Sequence, residues 1–174
     1  MPIGFPDRFR PVGVSAALIG SALVHATVVS DHYSGWVLAG LFFLALQVSE
    51  TLLGLAVLLA WSRRVAIAVV AGNLATLGVW AMSRTVGVPF GPPGFSAPEP
   101  VGTADLACVV LELAAVALVL PCAFGRDTRP ARSGSAAGAL ALATLVGLLA
   151  VTGWGLGPAI SGDAHDHHHS AAAR

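Results

Sequence analysis

The sequence has no lysine, one tyrosine and two cysteines, and only 10% of its 174 residues are charged. A soluble domain carries about 25% charged residues, so this chain lacks the groups that keep an ordinary folded surface in water. Its formal net charge is zero, which leaves no basic footprint for nucleic acid. The cysteines form no CxxC or Cys/His zinc pattern. Cys108 and Cys122 fall on one expected helix, about 21 Å apart, too far for a disulfide within it. All nine basic residues are arginine, a coding bias that carries no function.

Apolar residues fill the space that charge leaves, at 56% of the chain. A bilayer core about 30 Å thick needs ~20 mostly apolar residues per helix. Five stretches meet or approach that length: residues 12–30, 37–60, 65–83, 104–124 and 136–157. The breaks between them are polar or rich in proline and glycine. They comprise residues 31–36, the tight turn Trp61-Ser62-Arg63-Arg64, the long loop 85–103 with Gly91-Pro92-Pro93-Gly94, and residues 125–135. The expected fold is all-α: an integral membrane bundle of five helices, multi-pass in the cell membrane, with the lipid bilayer as its first partner. A cytoplasmic segment, residues 1–11, precedes the spanning domain, residues 12–157. A His-rich extracytoplasmic tail, residues 158–174, follows it.

Orientation follows from the arginines, because cytoplasmic loops collect Lys and Arg. Arg8 and Arg10 precede the first span, Arg63 and Arg64 follow the second, and Arg126, Arg129 and Arg132 follow the fourth. With five spans all three clusters share one side, so the N-terminus is expected inside and the C-terminus outside. Trp36 and Trp61 bracket the second span as an aromatic belt would. A rival reading makes the first span a signal peptide cleaved near Val24-His25-Ala26. The apolar run continues through Val29, which favours a retained helix. The two halves do not match in polar spacing, which gives no support to an inverted-repeat transporter.

Ionisable groups inside a bilayer are expensive, so each needs a reason. The first span holds His25, and His32 follows it. The second holds Gln47 and Glu50, the third Asn73, Trp80 and Arg84, and the fourth Asp105, Cys108 and Glu112. Within each span the spacing keeps these residues on one face. The fifth has no charged residue. Four helices are therefore expected to turn polar stripes toward one another, with a peripheral fifth. From the helical rise, His25 lies about 8 Å below the outer end, Glu112 about 12 Å, Asn73 about 15 Å and Glu50 about 20 Å. That is a funnel opening outward, with Arg84 and Asp105 at its rim.

Three chemistries could use this set. A bis-His haem is disfavoured because His25 is the sole histidine within a span. A di-iron carboxylate bundle would need Glu-x-x-His motifs, and there are none. A single site for a divalent transition metal or a proton fits best, with His25, Glu50, Asp105 and Glu112 as donors and Cys108 as a soft ligand. His32, Gln47, Asn73, Arg84 and Glu99 would form the polar core and gate. In the tail, His165, His167, His168 and His169 alternate with Asp163 and Asp166 in a tract suited to Zn, Cu, Ni or Co. The leading expectation is a membrane protein that binds or transports a small cation. The alternatives are an accessory subunit whose polar core is structural and, last, a membrane-embedded redox enzyme.

The middle of the chain also resembles a group of small polytopic membrane proteins common in actinobacteria. The resembling residues are Asp31-His32, Gly40-Leu41-Phe42-Phe43, Gln47, Asn73, Val79-Trp80, the run from Ser83 to Pro92, Glu99-Pro100-Val101-Gly102, Asp105 and Glu112. The resemblance covers residues 21–120. It implies a membrane location and no activity. It also implies that the Ser-Arg-Thr-Val-Gly loop and the Glu-Pro-Val-Gly turn form one unit at the outer mouth.

Overall fold

The structure is a computed structural model that describes residues 5–124 and 135–161. The basic cluster Arg126, Arg129 and Arg132 and the histidines of the tail lie outside the described residues. The described residues form five helices: α1 (Phe5–Gly35), α2 (Val37–Leu59), α3 (Arg63–Thr85), α4 (Thr103–Ala123) and α5 (Ser135–Ser161). All five are long and apolar enough to cross a membrane. There is no strand among the described residues.

Residues 31–36, expected as a polar loop, are almost wholly helical. α1 runs on through Gly35, and only Trp36, in an extended conformation, separates it from α2. The Trp36 amide donates to the His32 carbonyl at 2.8 Å, which closes the last turn of α1. The corner is tight. A Cβ on Gly40 would sit 2.4 Å from the Cβ of Tyr33 and 2.5 Å from its Cα, so only glycine allows α2 to fold back there. Further along, Gly54 packs on Ile19 and the Ser15 carbonyl. The two helices are thus antiparallel and closely apposed.

α1 and α4 form the spine. Val14, Leu18, Ser21 and His25 are buried at helical spacing on α1, as are Cys108, Glu112, Ala115 and Val119 on α4. α2 lies along α1, α3 along α4, and α5 against both α1 and α4. α2 and α3, though joined by the short 60–62 turn, touch least of the helix pairs in contact. A cleft therefore opens between them on the side away from α5. Arg63, at the start of α3, donates from Nε to the Ala123 carbonyl at the end of α4.

α5 was expected to be peripheral, having nothing polar to hide. It lines neither of two cavities found in the bundle, yet it packs against both α1 and α4. Lipid tails offer no hydrophobic driving force between helices, so close van der Waals packing holds them together, favoured by small residues. A Cβ on Gly155 would lie 2.5 Å from the Ala107 Cβ and 3.0 Å from Val24. Gly155→Leu is accordingly expected to lever α5 away from the spine. A loss of about 1–3 kcal/mol, read as a lower melting temperature of the purified protein, is the expected result. An unchanged melting curve would show that α5 does not dock as described.

Candidate functional site

Three of the expected donors meet. His25 on α1, Glu50 on α2 and Glu112 on α4 are each at least 95% buried, and each offers a ligand atom within 4.8 Å of the other two. His25 Nε2 is 3.4 Å from Glu112 Oε1 and 3.8 Å from Glu50 Oε1.

Two local features bring His25 and Glu50 to one level despite their different expected depths. The continuation of α1 to Gly35 puts His25 about 15 Å below the helix end, not 8 Å. Side chains on a helix also lean toward its N-terminus. On antiparallel α1 and α2 that tilt sends His25 and Glu50 toward each other along the bundle axis.

The surrounding groups hold this trio in place. Ser21, one turn before His25, donates from Oγ to Glu50 Oε1 at 3.2 Å. Cys108 Sγ lies 3.8 Å from His25 Nδ1, and the Phe43 ring stacks at 5.6 Å from the imidazole. Cys108 therefore sits on the opposite ring nitrogen from the carboxylates. It is placed to orient His25, not to share a ligand position with Glu50 and Glu112. Ser21 was not singled out from sequence. A serine in an apolar run looks like any small packing residue, and its partner is 29 positions away.

Above the trio is a cavity of about 300 Å³. His25 and Glu112 lie in its wall, with Phe42, Phe43 and Val79 higher up and Arg84, Glu99 and Asp105 at the mouth. Arg84 bridges the mouth. It donates from one terminal nitrogen to Glu99 and from the other to Asp105, the latter at 2.6 Å. Asp105 also accepts from the Gly102 amide at 2.7 Å, at the start of α4. With both oxygens engaged there, Asp105 stands apart from the buried trio.

The loop 86–102 folds over the mouth. It turns at Gly87, whose φ of 76° favours glycine and where a Cβ would lie 2.5 Å from the Ser96 carbonyl oxygen. The Glu99 amide donates to the Ser83 carbonyl at 3.1 Å, which ties the Ser-Arg-Thr-Val-Gly and Glu-Pro-Val-Gly segments together. Phe90 and Phe95 stack on Trp36 with centroids 6.0 and 5.5 Å apart. His32 sits beneath, 4.2 Å from Phe43, and bonds the Val28 carbonyl through Nδ1 at 2.8 Å. Sequence patterning identified the loop but not this aromatic cover, because no helical period runs through it.

The α2–α3 cleft forms a second cavity of about 250 Å³, reached by Glu50 and Asn73. Asn73 donates to the Val69 carbonyl at 2.8 Å and does not join the trio. Gln47 is half-buried and lines neither cavity. It stands one turn before Glu50, on the same side of α2. Glu50 Oε2, Asn73 Oδ1, Trp80 Nε1 and Arg84 Nε are buried without a hydrogen-bond partner. Each belongs to a residue lining one of the two cavities. Buried polar groups are normally paired, so such a group marks a place where a partner is missing.

Two carboxylates and an imidazole suit a borderline cation. Zinc bonds of about 2.0–2.2 Å to nitrogen and oxygen put neighbouring ligand atoms about 3.3–3.6 Å apart in a tetrahedral site. The two measured separations from Nε2 are close to that spacing. Comparison of the chain with family models, with curated proteins and with solved structures found no match.

Proposed function

We propose that this membrane protein binds a divalent transition metal ion through His25, Glu50 and Glu112. The observation that carries the reading is the convergence of three donors from three different helices at the foot of a cavity. In a low-dielectric interior two carboxylates and one imidazole need a compensating charge, and a dication supplies it. With Nε2 as a ligand, Nδ1 keeps its proton and donates to Cys108, the outer-shell arrangement that orients a metal-bound histidine.

The same proposal covers orientation and route. The arginine clusters favour an inside N-terminus and a polar path opening outward in the cell membrane. On that orientation the tail, with His165, His167, His168 and His169, emerges on the side of the cavity mouth as a capture tract. Asn73 and Glu50 in the α2–α3 cleft would extend the path inward, for transport or for storage. Kinship with the actinobacterial group that residues 21–120 resemble belongs to the proposal as well.

Metal analysis of the purified protein tests it. The wild type is expected to carry one more equivalent of transition metal than the His25→Ala, Glu112→Ala double variant, which keeps only what the tail histidines hold. Asp105→Asn is expected to keep the extra equivalent. Equal metal in all three proteins overturns the reading.

The second reading is an accessory subunit with a structural polar core. It is favoured by the fact that each of the three groups already has a protein partner, whether Ser21, Cys108 or another member of the trio.

A further inference from the structure

The cation reading uses the floor of the large cavity and leaves its walls unexplained. An ion has no need of a chamber of about 300 Å³ walled by Trp36, Phe42, Phe43, Val79, Phe90 and Phe95. That volume is where organic-ligand sites begin, at about 300 Å³ and upward, and such sites combine apolar walls with a few polar groups. Two polar groups here have no partner. Trp80 Nε1 and Arg84 Nε are N–H donors one helical turn apart on α3, on the wall of this cavity, and both are buried and unbonded. The two terminal nitrogens of Arg84 are already taken by Glu99 and Asp105. The arginine is thus held in position, and its Nε–H remains available.

The cavity also has a side entrance. Phe42, Leu46, Thr76 and Val79 line both it and the α2–α3 cleft. α2 and α3 touch least of the neighbouring helices, and several cleft residues, among them Ser49, Ala75 and Val79, are exposed on the surface that faces lipid.

We propose that this cavity is a binding site for a small, flat apolar molecule bearing a carbonyl-type oxygen, which enters from the bilayer between α2 and α3. Its body stacks against Phe42, Phe43 and the aromatic cover. Its oxygen accepts from Trp80 Nε1–H after a small rotation of the indole toward the cavity, with the unbonded Nε–H of the fixed Arg84 beside it. The site stands whether or not the trio below it holds a metal ion.

Benzophenone is a suitable probe, being apolar, carbonyl-bearing and able to label nearby C–H bonds under ultraviolet light. The wild-type protein in lipid nanodiscs would be irradiated with increasing benzophenone and the labelled residues mapped by mass spectrometry. Saturable labelling is expected at cavity residues such as Phe42, Val79 and Phe90. Excess fluorenone should displace it more strongly than fluorene, which has the same skeleton without the oxygen. Trp80→Phe keeps the apolar wall but removes a donor, and is expected to weaken half-saturation by about threefold to tenfold. Val28→Phe, which fills the cavity from α1, is expected to abolish saturable labelling. Labelling that rises linearly and spreads over lipid-facing residues such as Leu142 and Leu149 on α5 would overturn the site. Equal competition by fluorene and fluorenone, or no effect of Trp80→Phe, would overturn the assigned chemistry. Metal content, measured on the same preparations, reports separately on the ion reading.

Discussion

His25→Leu should be the most destabilising single change at the buried trio, and adding Glu50→Leu and Glu112→Leu to it should restore most of the loss. His25 lies between the two carboxyl groups, with Nε2 facing both. Its removal leaves Glu50 and Glu112 in the interior without a base between them. Breaking a buried ionic group by deleting one member costs about 3–5 kcal/mol, and these side chains are too well covered for solvent to soften that figure. Replacing the entire group by leucine removes the uncompensated charges and gives the interior apolar atoms to pack. Such exchanges are often neutral or stabilising. The measurement is unfolding of the purified variants by titration with a denaturing detergent. Recovery in the triple variant, together with loss of bound metal, would mean that the trio is there for binding and not for stability. A triple variant as unstable as His25→Leu would instead favour the accessory-subunit reading.

The second large effect is expected at the mouth. Arg84→Leu deletes one cation that holds Glu99 of the loop and Asp105 of α4 to α3. Asp105 keeps its bond from the Gly102 amide. Glu99 has no other side-chain partner among the described residues, so the loop loses its anchor. The group is partly exposed at its carboxylate ends, so solvent screening lowers the cost below that of a buried pair, to about 1–3 kcal/mol. The effect should be concentrated in residues 86–102. Hydrogen exchange is expected to accelerate at Val88 and Glu99, whose amides bond to Phe95 and Ser83, while the amides of α1 and α4 stay protected. Uniform acceleration through the helices would show that the bridge supports the whole bundle and not the cover.

The five helices were legible in the sequence because each is a local property. Twenty apolar residues bounded by polar breaks must cross a bilayer or be buried, and helix ends fell within a few residues of the expected spans for α2, α3 and α4. The error at Asp31–Gly35 has a clear cause. Polar composition suggests a loop, but the segment contains no proline, and its polar side chains are satisfied within a helix, as when Ser34 donates to the Asp31 carbonyl. Candidate donors were legible too, since an acid or imidazole inside a span is rare enough to stand out.

Which of those donors would meet was not legible. Asp105, Cys108 and Glu112 share a face of α4, yet they end in three different roles. Asp105 is held at the rim by Arg84, Cys108 faces His25 Nδ1, and Glu112 faces Nε2. Periodicity gives the azimuth of a residue on its own helix. It does not give the azimuth of that helix in the bundle.

The sequence by itself therefore determined that this chain carries five stretches long and apolar enough to cross a membrane and that its expensive groups there are His25, Glu50, Arg84, Asp105 and Glu112. Burial cost and helical period are set residue by residue. Only the tertiary structure decided that His25, Glu50 and Glu112 converge while Asp105 does not, and that an aromatic-walled cavity stands above them. Helix rotation rests on close contacts between helices, among them Gly40 and Gly54 of α2 against α1 and Gly155 of α5 against α1 and α4, which the period along one helix does not reveal.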